Sequence, residues 1–397
     1  MAFRTLDEAE VGGKRVLVRV DFNTPMEHGR VADDTRLKAA LPTINDLRRR
    51  GAKVILMSHF DRPKGKPVPS MSLRPLVRPL SDLLGAPAAF AEDSIGEPAQ
   101  KAVARMKDGD VLLLENLRFH AGEEANDPDF ARALAALGDL YVDDAFSVAH
   151  RAHASTEGVA HLLPAYAGRS MQTELEHLEK ALGSPDRPVM GVVGGAKVSS
   201  KLDLLENLTG KLQFLAIGGG MANTFRFAQG YDVGASLCEK DMAETARTIL
   251  ETAKAKGCQL LLPTDVVVTQ EIKPGAAWRV AEIGHSIQPG DRIVDIGPNS
   301  LAQILDAMSL CKTLIWNGPL GVFEVPPFDK GTVAAARHAA ELAKSGKLIA
   351  VAGGGDTVAA LNAAGVAQDF TFVSTAGGAF LEWMEGKTLP GVAALEA

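Results

Sequence analysis

The sequence predicts an α/β protein made of two doubly wound, parallel-sheet (Rossmann-like) domains. The chain has 397 residues, which exceeds the usual size of one hydrophobic core, because domains typically span ~50 to 250 residues. Short β-rich runs alternate with amphipathic helical stretches in both halves, as in successive βαβ units. Several of these runs are apolar throughout, which is typical of parallel strands covered on both faces.

The predicted strands form two sets. The first set comprises residues 15–20, 53–57, 111–114 and 140–142. The second set comprises residues 188–193, 213–217, 259–262, 313–315, 347–351 and 370–373. Between the two sets, residues 171–182 (MQTELEHLEKAL) have the pattern of a helix, and a glycine- and proline-containing break follows at 183–188. This stretch is therefore predicted to be a hinge helix that links the two domains.

Composition and charge narrow the class of function. The chain is 46% hydrophobic and 23% charged, as expected for a globular protein, and its net charge of −7 argues against a general nucleic-acid or membrane-surface role. The first eight residues include acidic positions where a signal peptide needs an apolar stretch, and no apolar run reaches ~18 residues. Cys238, Cys258 and Cys311 lie far apart without metal-type spacing. A cytoplasmic protein is expected.

The cationic residues are distributed unevenly along the chain. Arginine occurs 16 times before residue 173 and 6 times after it, whereas lysine occurs 7 and 13 times. The planar guanidinium group suits fixed, bidentate binding of a carboxylate or phosphate, and lysine is a more flexible point charge. The two halves are therefore expected to bind anions in different ways, although compositional drift is the alternative.

A glycine loop follows the predicted strand that ends at residue 193. It contains Gly194, Gly195 and Lys197, and Ser199 and Lys201 are expected to open a helix directly after it. Glycine lets backbone N–H groups approach an anion, and a helix N-terminus and lysines favour negative charge. The spacing fits neither the P-loop nor the GxGxxG dinucleotide motif. The sequence nevertheless predicts a phosphate-binding loop.

Three further glycine loops follow strands, at residues 218–220, 353–357 and 376–378. One such loop is usually only a tight turn, but four at strand ends indicate a shared anion site. Asp356 opens a helix, so it is either an N-cap or a ligand for Mg²⁺, which prefers one or two carboxylates together with phosphate oxygens. Asn317 and Glu324 follow another strand, and Glu324 suits ribose hydroxyls or a metal; a plain turn is the alternative.

Polar side chains cluster after the strands of the first half. They are Asp21, Asn23, Arg36, His59, Arg62, Asn116, Arg118, His150, Arg151 and His153. A lone arginine or histidine at a strand end is usually a surface residue. Ligands of parallel sheets bind beyond the carboxyl ends of the strands, so the fold is expected to gather these groups around one crevice. They suit a small substrate that carries both a phosphate and a carboxylate.

The order of motifs resembles the phosphoglycerate kinase family. The similar stretches are VDFN, SHFDRPKG, LLLENLRFHAGEE, DDAFSVAHRAHAS, VVGGAKVSSK, GGGMANTF, WNGPLGVFE, VAGGGDTVAAL and FVSTAGGAFLEWMEGKTLPGV. The resemblance implies a magnesium-dependent phosphotransferase of glycolysis that moves a phosphoryl group from 1,3-bisphosphoglycerate to ADP, giving 3-phosphoglycerate and ATP. It also implies a monomer whose two domains close around the substrates, with no nucleic-acid or membrane partner.

The resemblance also implies roles for individual residues. The phosphoglycerate is expected on Asp21, Phe22, Asn23, Arg36, His59, Phe60, Asp61, Arg62, Arg118 and Arg151. ATP or ADP is expected on Gly195, Lys197, Lys201, Gly219, Gly220, Asn317, Glu324, Gly354, Gly355, Asp356 and Thr357, with Mg²⁺ on Asp356. Arg36, Lys197, Gly377 and Gly378 are expected to stabilise the transferred phosphoryl group.

The family organisation also implies domain boundaries. Residues 1–171 form the phosphoglycerate-binding domain, residues 172–374 form the nucleotide-binding domain with its linking helix at 172–183, and residues 375–397 pack back on the first domain.

The chain departs from the family pattern at a few positions. Asp61 stands where glycine is usual, Asp143 where asparagine is common, and Ser147 and Val148 where Gly-Thr is common. Ala376 opens what is usually a triple-glycine loop, and a positive φ at that position would be strained for alanine.

Two other functions fit parts of the sequence. A nicotinamide dehydrogenase uses the same sheet architecture, but it requires GxGxxG followed by a suitably spaced acidic residue, which this chain lacks. A non-catalytic nucleotide-binding protein that keeps the fold is the second alternative.

Overall fold

The computed structural model describes residues 3–396. Its strands are β1 (Arg15–Arg19), β2 (Met26–Glu27), β3 (Arg30–Val31), β4 (Lys53–Met57), β5 (Ala88–Ala91), β6 (Val111–Leu114), β7 (Leu140–Asp143), β8 (Ala165–Ala167), β9 (Val189–Val193), β10 (Phe214–Ile217), β11 (Gln259–Leu261), β12 (Asp265–Thr269), β13 (Trp278–Glu282), β14 (Arg292–Ile296), β15 (Thr313–Asn317), β16 (Ile349–Gly353) and β17 (Phe372–Ser374). Each predicted strand corresponds to one of these, with ends that differ by at most two residues.

The helices alternate with the strands along most of the chain. They are α1 (Thr35–Arg49), α2 (Val77–Leu84), α3 (Gly96–Ala104), α4 (Ala121–Glu124), α5 (Pro128–Ala135), α6 (Arg169–Leu178), α7 (Leu202–Thr209), α8 (Gly219–Ala228), α9 (Ala243–Ala255), α10 (Pro298–Leu310), α11 (Lys330–Lys344), α12 (Gly355–Ala363), α13 (Gly377–Met384) and α14 (Pro390–Ala393). None of the helices among residues 3–396 is long and apolar enough to cross a membrane.

The chain divides into two compact units. The first is Met1–Glu176 with Thr388–Ala397, and the second is His177–Lys387. These divisions differ from the predicted boundaries at residues 171 and 374. Helix α6 runs through the first division as one continuous element, and α13 belongs to the second unit, where Asn207 of α7 donates a hydrogen bond of 2.6 Å to the Met384 carbonyl. The segment that returns to the first unit therefore begins only after α13.

Each unit contains one six-stranded sheet. The strand order is β5-β6-β4-β1-β7-β8 in the first unit and β11-β10-β9-β15-β16-β17 in the second. All neighbouring strands in both sheets run parallel. The central strands β1, β4, β9 and β15 are almost wholly buried, as strands covered on both faces must be. The predicted fold class of two doubly wound α/β domains is confirmed.

The second unit also carries a smaller sheet that the sequence analysis did not predict. Its three antiparallel strands are ordered β13-β12-β14, and the register shifts between Val267 and Val268 of β12. The sheet has its own apolar cluster around Val266, Val268 and Ala281. It supplies one wall of the cleft described below.

The returning segment is held by backbone pairing and by apolar burial. The Arg4 N–H donates to the Leu395 carbonyl at 3.3 Å, and the Gly391 N–H donates to the Ala149 carbonyl at 2.9 Å. Leu389, Val392 and Leu395 are buried. The residues at both ends of the described chain thus lie in the same unit.

Candidate active site

The polar groups of the first unit lie where the parallel strands end. Strands β6, β4, β1 and β7 are adjacent in the sheet, and the loops that follow them carry the predicted residues. Asp21 follows β1, His59 follows β4 and Arg118 follows β6. Arg36 lies in the first turn of α1. The topology therefore brings residues far apart in sequence to one edge of the sheet.

Asp21 organises one part of this cluster. Its Oδ2 accepts a hydrogen bond from Arg36 Nη1 at 2.7 Å and another from Ser147 Oγ at 2.5 Å, and its Oδ1 accepts from the Asn23 N–H at 3.0 Å. Burial opposes ionisation of Asp21, but the charge of Arg36 and these hydrogen bonds outweigh it, so the pKa of Asp21 is lowered. Asp21 thus stays ionised and orients the Arg36 guanidinium, whose side chain remains 42% exposed.

A second set of contacts holds the loop after β4. Asn116 is buried; its amide donates to the Phe60 carbonyl at 2.7 Å, and its Oδ1 accepts from the Arg118 N–H at 3.0 Å. Asn23 Oδ1 accepts from the Asp61 N–H at 2.9 Å, and Arg118 Nη1 donates to the Asp61 carbonyl at 2.9 Å. The three loops after β1, β4 and β6 are therefore joined by side-chain to backbone bonds.

The departure at Asp61 has a structural explanation. Its φ is +53°, which lies in the left-handed region that glycine adopts freely. Aspartate is among the few other residues that tolerate this region, because its short side chain can hydrogen-bond locally. The chain thus keeps the backbone conformation that a glycine would give.

The remaining predicted residues of this cluster differ in exposure. Arg62 and Arg151 are exposed and Phe60 is partly buried. Phe22 is fully buried and packs in the core; its N–H donates to Ser58 Oγ at 2.9 Å, and its carbonyl accepts from the Thr24 N–H at 2.8 Å. Arg62 and Arg151 remain available for an anion.

Sequence reasoning missed a buried charged group behind this cluster. Arg19, Glu123 and Ser155 are completely buried, and Ser155 forms hydrogen bonds with both of the others. The available signal was the position of Arg19 itself, since a cation in an otherwise apolar central strand needs a partner inside the protein.

The glycine loops of the second unit meet at the ends of β9, β15 and β16. The Gly194 N–H donates to the Asn317 carbonyl at 3.0 Å, and a Cβ on Gly194 would overlap the Pro319 carbonyl. Only glycine therefore permits this approach of the two loops. Lys201 crosses between them, because its Nζ donates to the Gly194 carbonyl at 2.6 Å and to Asn317 Oδ1 at 2.7 Å.

One detail of this loop differs from the prediction. Helix α7 begins at Leu202, so Ser199 lies in a turn and Lys201 is the N-cap residue. Ser199 Oγ and N–H both bond the carboxylate of Glu239, at 2.5 and 3.0 Å, which holds the loop outside the helix. Lys197 is exposed within this loop.

The loop after β16 is bonded to the loop after β15. Asn317 Nδ2 donates to the Gly353 carbonyl at 3.0 Å, and Thr357 Oγ1 accepts from the Gly318 N–H at 2.7 Å. Gly354 has a φ of +97°, and a Cβ there would lie 2.7 Å from the Asn317 amide nitrogen. This conformation starts α12 at Gly355 and leaves Asp356 exposed in its first turn.

The loops border a cleft of about 720 Å³ within the second unit. This size falls in the range of small-molecule and cofactor sites. Among the predicted residues, those that line it are Gly195, Gly219, Gly220, Glu324 and Asp356. Lys197, Lys201, Asn317, Gly354, Gly355 and Thr357 lie in the loops just described. The apolar wall of the cleft was not predicted; it is formed by Leu237, Val266, Val294 and Leu320. Val266 and Val294 lie on two strands of the small sheet, and Leu237 and Leu320 lie in two separate loops.

The fourth glycine loop opens α13, which begins at Gly377. Ala376 has a φ of −84° and Gly377 one of +41°. The residue that requires the left-handed region is therefore the glycine, and alanine at 376 is unstrained. Gly378 is exposed in the first turn of α13, so N–H groups of both glycines lie at a helix N-terminus, where anions bind favourably.

The carboxylates of the cleft fit a cation that is shared with a phosphorylated ligand. Asp356 and Glu324 both line the cleft, and the residues 3–396 contain no cluster of three histidine, cysteine or acidic side chains that could hold a metal. Magnesium usually takes only one or two carboxylates and completes its shell with phosphate oxygens and water. This donor set therefore suits Mg²⁺ bound together with a nucleotide.

Comparison with known proteins identifies the family. The family model "Phosphoglycerate kinase" matches residues 6–387. Proteins named phosphoglycerate kinase from Caulobacter vibrioides and Methylorubrum populi are 68% and 61% identical; the alignments cover 100% of this chain and 100% and 99% of those proteins. The structure of phosphoglycerate kinase from Coxiella burnetii has a TM-score of 0.93 and 40% identity, covering 99% of this chain and 98% of that one. The phosphoglycerate kinase of Pyrococcus horikoshii OT3 has a TM-score of 0.79 and 31% identity over the same shares. The chain belongs to the phosphoglycerate kinase family.

Proposed function

We propose that the chain catalyses reversible phosphoryl transfer from 1,3-bisphosphoglycerate to ADP, giving 3-phosphoglycerate and ATP in glycolysis. The observation that carries this proposal is the separation of two anion sites within a chain of this family. One unit presents arginines around Asp21 and His59, and the other presents glycine loops, lysines and Asp356 around a cleft of nucleotide size. These sites match the charges of an acidic sugar phosphate and of a nucleotide.

The first unit binds the phosphoglycerate. Arg62, Arg118 and Arg151 supply planar guanidinium groups that suit a phosphate, and Arg118 is held in place by its bond to the Asp61 carbonyl. Asp21 and Asn23 are suited to the hydroxyl and carboxyl end of the substrate. Arg36 is exposed beside Asp21, so it can reach the acyl phosphate whose phosphorus is transferred.

The second unit binds ADP or ATP. The apolar wall of the cleft accommodates the base, Glu324 suits the ribose hydroxyls, and the glycine loops with Lys201 face the phosphates. Asp356 would hold Mg²⁺ together with phosphate oxygens, and the metal would supply charge neutralisation there. Lys197 and the N–H groups of Gly377 and Gly378 would contact the phosphoryl group while it is transferred.

The chemistry needs neither a covalent intermediate nor a general base. A terminal oxygen of ADP attacks the phosphorus of the acyl phosphate, the bond from phosphorus to the carboxyl oxygen breaks, and the carboxylate leaves with that electron pair. Both the ADP oxygen and the departing carboxylate are ionised near neutral pH. The protein therefore contributes positioning and neutralisation of the phosphoryl oxygens, which Arg36 and Lys197 provide.

A coupled assay tests the reaction directly. Purified chain is supplied with 1,3-bisphosphoglycerate, ADP and Mg²⁺, and ATP formation is followed through hexokinase and glucose-6-phosphate dehydrogenase. ATP formation that depends on all three additions supports the proposal. ADP binding without any ATP formation would instead support the non-catalytic alternative.

Binding on two units implies that they approach each other before transfer. We expect the radius of gyration measured by small-angle X-ray scattering to fall when 3-phosphoglycerate and ATP are both present, because closure brings the two units together; it also excludes water from the reacting groups. Either ligand alone should have a smaller effect. Identical scattering profiles with and without both ligands would contradict closure.

The charge of Lys201 gives nucleotide binding a pH dependence. Burial lowers the pKa of Lys201 to about 8, while the charge of Asp356 opposes this shift. The ammonium group therefore loses its charge as the pH rises through 8, and we expect ADP affinity to fall roughly tenfold between pH 7 and 9.5, as for one lost charged hydrogen bond. Isothermal titration calorimetry measures this change.

Matched variants isolate this effect. Lys201→Arg keeps its charge throughout this pH range, so its ADP affinity should vary less with pH than that of the parent. Lys211→Arg, at an exposed position of the same unit, should follow the parent. If the ADP affinity of Lys201→Arg changes with pH as much as that of the parent, Lys201 is not the source of the pH dependence.

The remaining expectations concern the state of the protein in the cell. We propose a monomer that resides in the cytoplasm and uses small-molecule substrates, without nucleic-acid or membrane partners. The net charge of −7 and the three free cysteines support this proposal. Light scattering coupled to size-exclusion chromatography tests the monomer; a mass near twice 41.9 kDa would contradict it.

A further inference from the structure

Arg19 is a fully buried cation at the carboxyl end of the central strand β1. None of its surface is accessible to solvent. Its Nε donates to Ser155 Oγ at 2.7 Å, its Nη1 to the Val20 carbonyl at 2.5 Å, and its Nη2 lies 3.2 Å from Nδ1 of His59. A buried charge is costly unless it is paired and fully bonded. Packing alone therefore does not explain a charged arginine at this position.

The Ser155 hydroxyl links Arg19 to its counter-charge, the carboxylate of Glu123. Ser155 Oγ accepts from Arg19 and donates to Glu123 Oε1 at 2.5 Å, and the Ser155 N–H donates to Glu123 Oε2 at 3.1 Å. Burial raises the pKa of Glu123, and the charge of Arg19 is the largest opposing influence. Glu123, Ser155 and Arg19 thus form one buried chain of hydrogen bonds that ends at His59.

The contact with Arg19 determines which nitrogen of His59 carries a proton. A guanidinium group has only donors, so His59 Nδ1 must accept the hydrogen bond from Nη2. The neutral ring then carries its proton on Nε2. A second proton on Nδ1 would face the guanidinium N–H directly, so the doubly protonated ring is disfavoured at this place.

Other charges around His59 act in both directions. Burial and then Arg19 hold the pKa of His59 well below its usual range; Arg118 and Arg36 add to this effect, and only Asp21 opposes it. Arg19 ends β1, and the other three groups come from the loops after β1 and β6 and from α1. The His59 ring is therefore neutral at the pH of the cell, although it lies among residues that are expected to bind an anion.

We propose that Arg19 is a positioning residue that fixes His59 as the neutral tautomer protonated on Nε2. The proposal rests on the proposed function for one step, namely that the Nε2–H group donates a hydrogen bond to the phosphoglycerate. With this tautomer fixed, His59 offers a hydrogen-bond donor whose protonation does not change near the pH of the cell. The positive charge needed by the substrate then comes from the surrounding arginines alone.

The first test uses the parent protein without substrate. The chain is labelled with nitrogen-15, and the histidine ring nitrogens are observed by two-bond ¹H–¹⁵N correlation between pH 5 and 8, with His59→Gln to assign the signals. We expect His59 to show a protonated Nε2 and an unprotonated Nδ1 at every pH. A proton on Nδ1, or a titration midpoint near the usual ~6.5, would overturn the proposal.

The second test removes the donor without leaving a buried charge unpaired. Arg19→Met combined with Glu123→Gln keeps the buried site neutral. We expect both tautomers of His59 to become populated and the KM for 3-phosphoglycerate to rise roughly tenfold, as for one misdirected hydrogen bond to a charged group. The KM for ATP should stay within about twofold, because the nucleotide is bound by the other unit. Arg15→Met, at the other end of β1 with a side chain 38% exposed, is the control for general loss of stability.

The outcomes separate a positioning role from a purely structural one. If the double variant loses stability but its His59 nitrogen signals remain as in the parent, Arg19 only fills the core and the proposal is wrong. If the double variant does not fold, the proposal is tested by the nitrogen-15 titration of the parent protein alone. A chain without transfer activity would defeat the proposed function, yet it would leave the nitrogen spectra of the free protein unchanged, so the two failures are distinguishable.

Discussion

Replacement of Arg36 by alanine is expected to lower kcat for ATP formation by ~10³, the size of effect typical of arginine charge stabilisation in phosphoryl transfer. The side chain is 42% exposed and makes an ion pair with Asp21 at 2.7 Å. Its removal therefore leaves the core intact and the melting temperature nearly unchanged. Steady-state kinetics in the coupled assay, together with thermal unfolding, measure both quantities.

Arg49 on the same helix provides the matched control. It is 77% exposed, and its ion pair with Asp46 spans 3.9 Å, so Arg49→Ala removes an equal charge from α1 outside the cluster. We expect this variant to keep kcat within about twofold. Near-normal turnover of Arg36→Ala would remove Arg36 from the mechanism, and an equal loss in both variants would point to the overall charge instead.

Asp143→Asn is expected to change how stability depends on pH. Asp143 is fully buried, its Oδ1 accepts from the Ala145 N–H at 3.0 Å, and its Oδ2 has no hydrogen-bond partner among the described residues. Burial raises the pKa of Asp143 to about 7, against the opposing effects of the Ala145 N–H and Arg19. Between the unfolded value of 3.8 and 7, the folded protein thus holds a proton that the unfolded chain has released.

The sign of the effect follows from this difference in bound protons. The contribution of Asp143 to stability falls as the pH rises through this window and has been lost above pH 7. Asparagine cannot ionise, so the stability of the variant minus that of the parent should grow by about 2–4 kcal/mol between pH 4 and 7.5. Urea unfolding at five pH values measures this difference.

The control for this experiment is the exposed Asp306 of α10. The free energy of unfolding of Asp306→Asn should differ from that of the parent by the same small amount at every pH. Asp144 and Asp295 also have a pKa raised to about 7 by burial, so both parent and variant keep some pH dependence, and only their difference reports on Asp143. A difference that stays flat with pH would show that Asp143 is ionised in the folded protein.

The parallel sheets were predictable because their strands carry strong local signals. Buried β-branched and leucine runs such as Val111–Leu114 are typical of strands covered on both faces. Strand β5 (Ala88–Ala91) was missed because three of its four residues are alanine, which has low β-propensity. The small antiparallel sheet was missed because it interrupts the βαβ alternation on which the prediction depended.

The site was predictable to the extent that its residues follow strands directly. Asp21, His59, Arg118 and the glycine loops satisfy this condition, and the structure gathers each set at one edge of its sheet. Arg19 and the apolar wall of the cleft depend on contacts between residues more than one hundred positions apart or between separate sheets. A local pattern can indicate that Arg19 needs a buried partner, but it does not indicate which distant residue supplies it.

The return of residues 388–396 to the first unit has a consequence for folding during synthesis. The second unit is one uninterrupted stretch, His177–Lys387, and all of it leaves the ribosome before the Arg4 N–H can meet the Leu395 carbonyl. The second unit can therefore complete its native structure first. The first unit still lacks three of its buried residues, Leu389, Val392 and Leu395, at that stage. Completion of the amino-terminal unit thus comes after release of the chain and runs against the order of translation. A chain that stops before residue 388 would lack the segment that completes the unit carrying the arginine cluster.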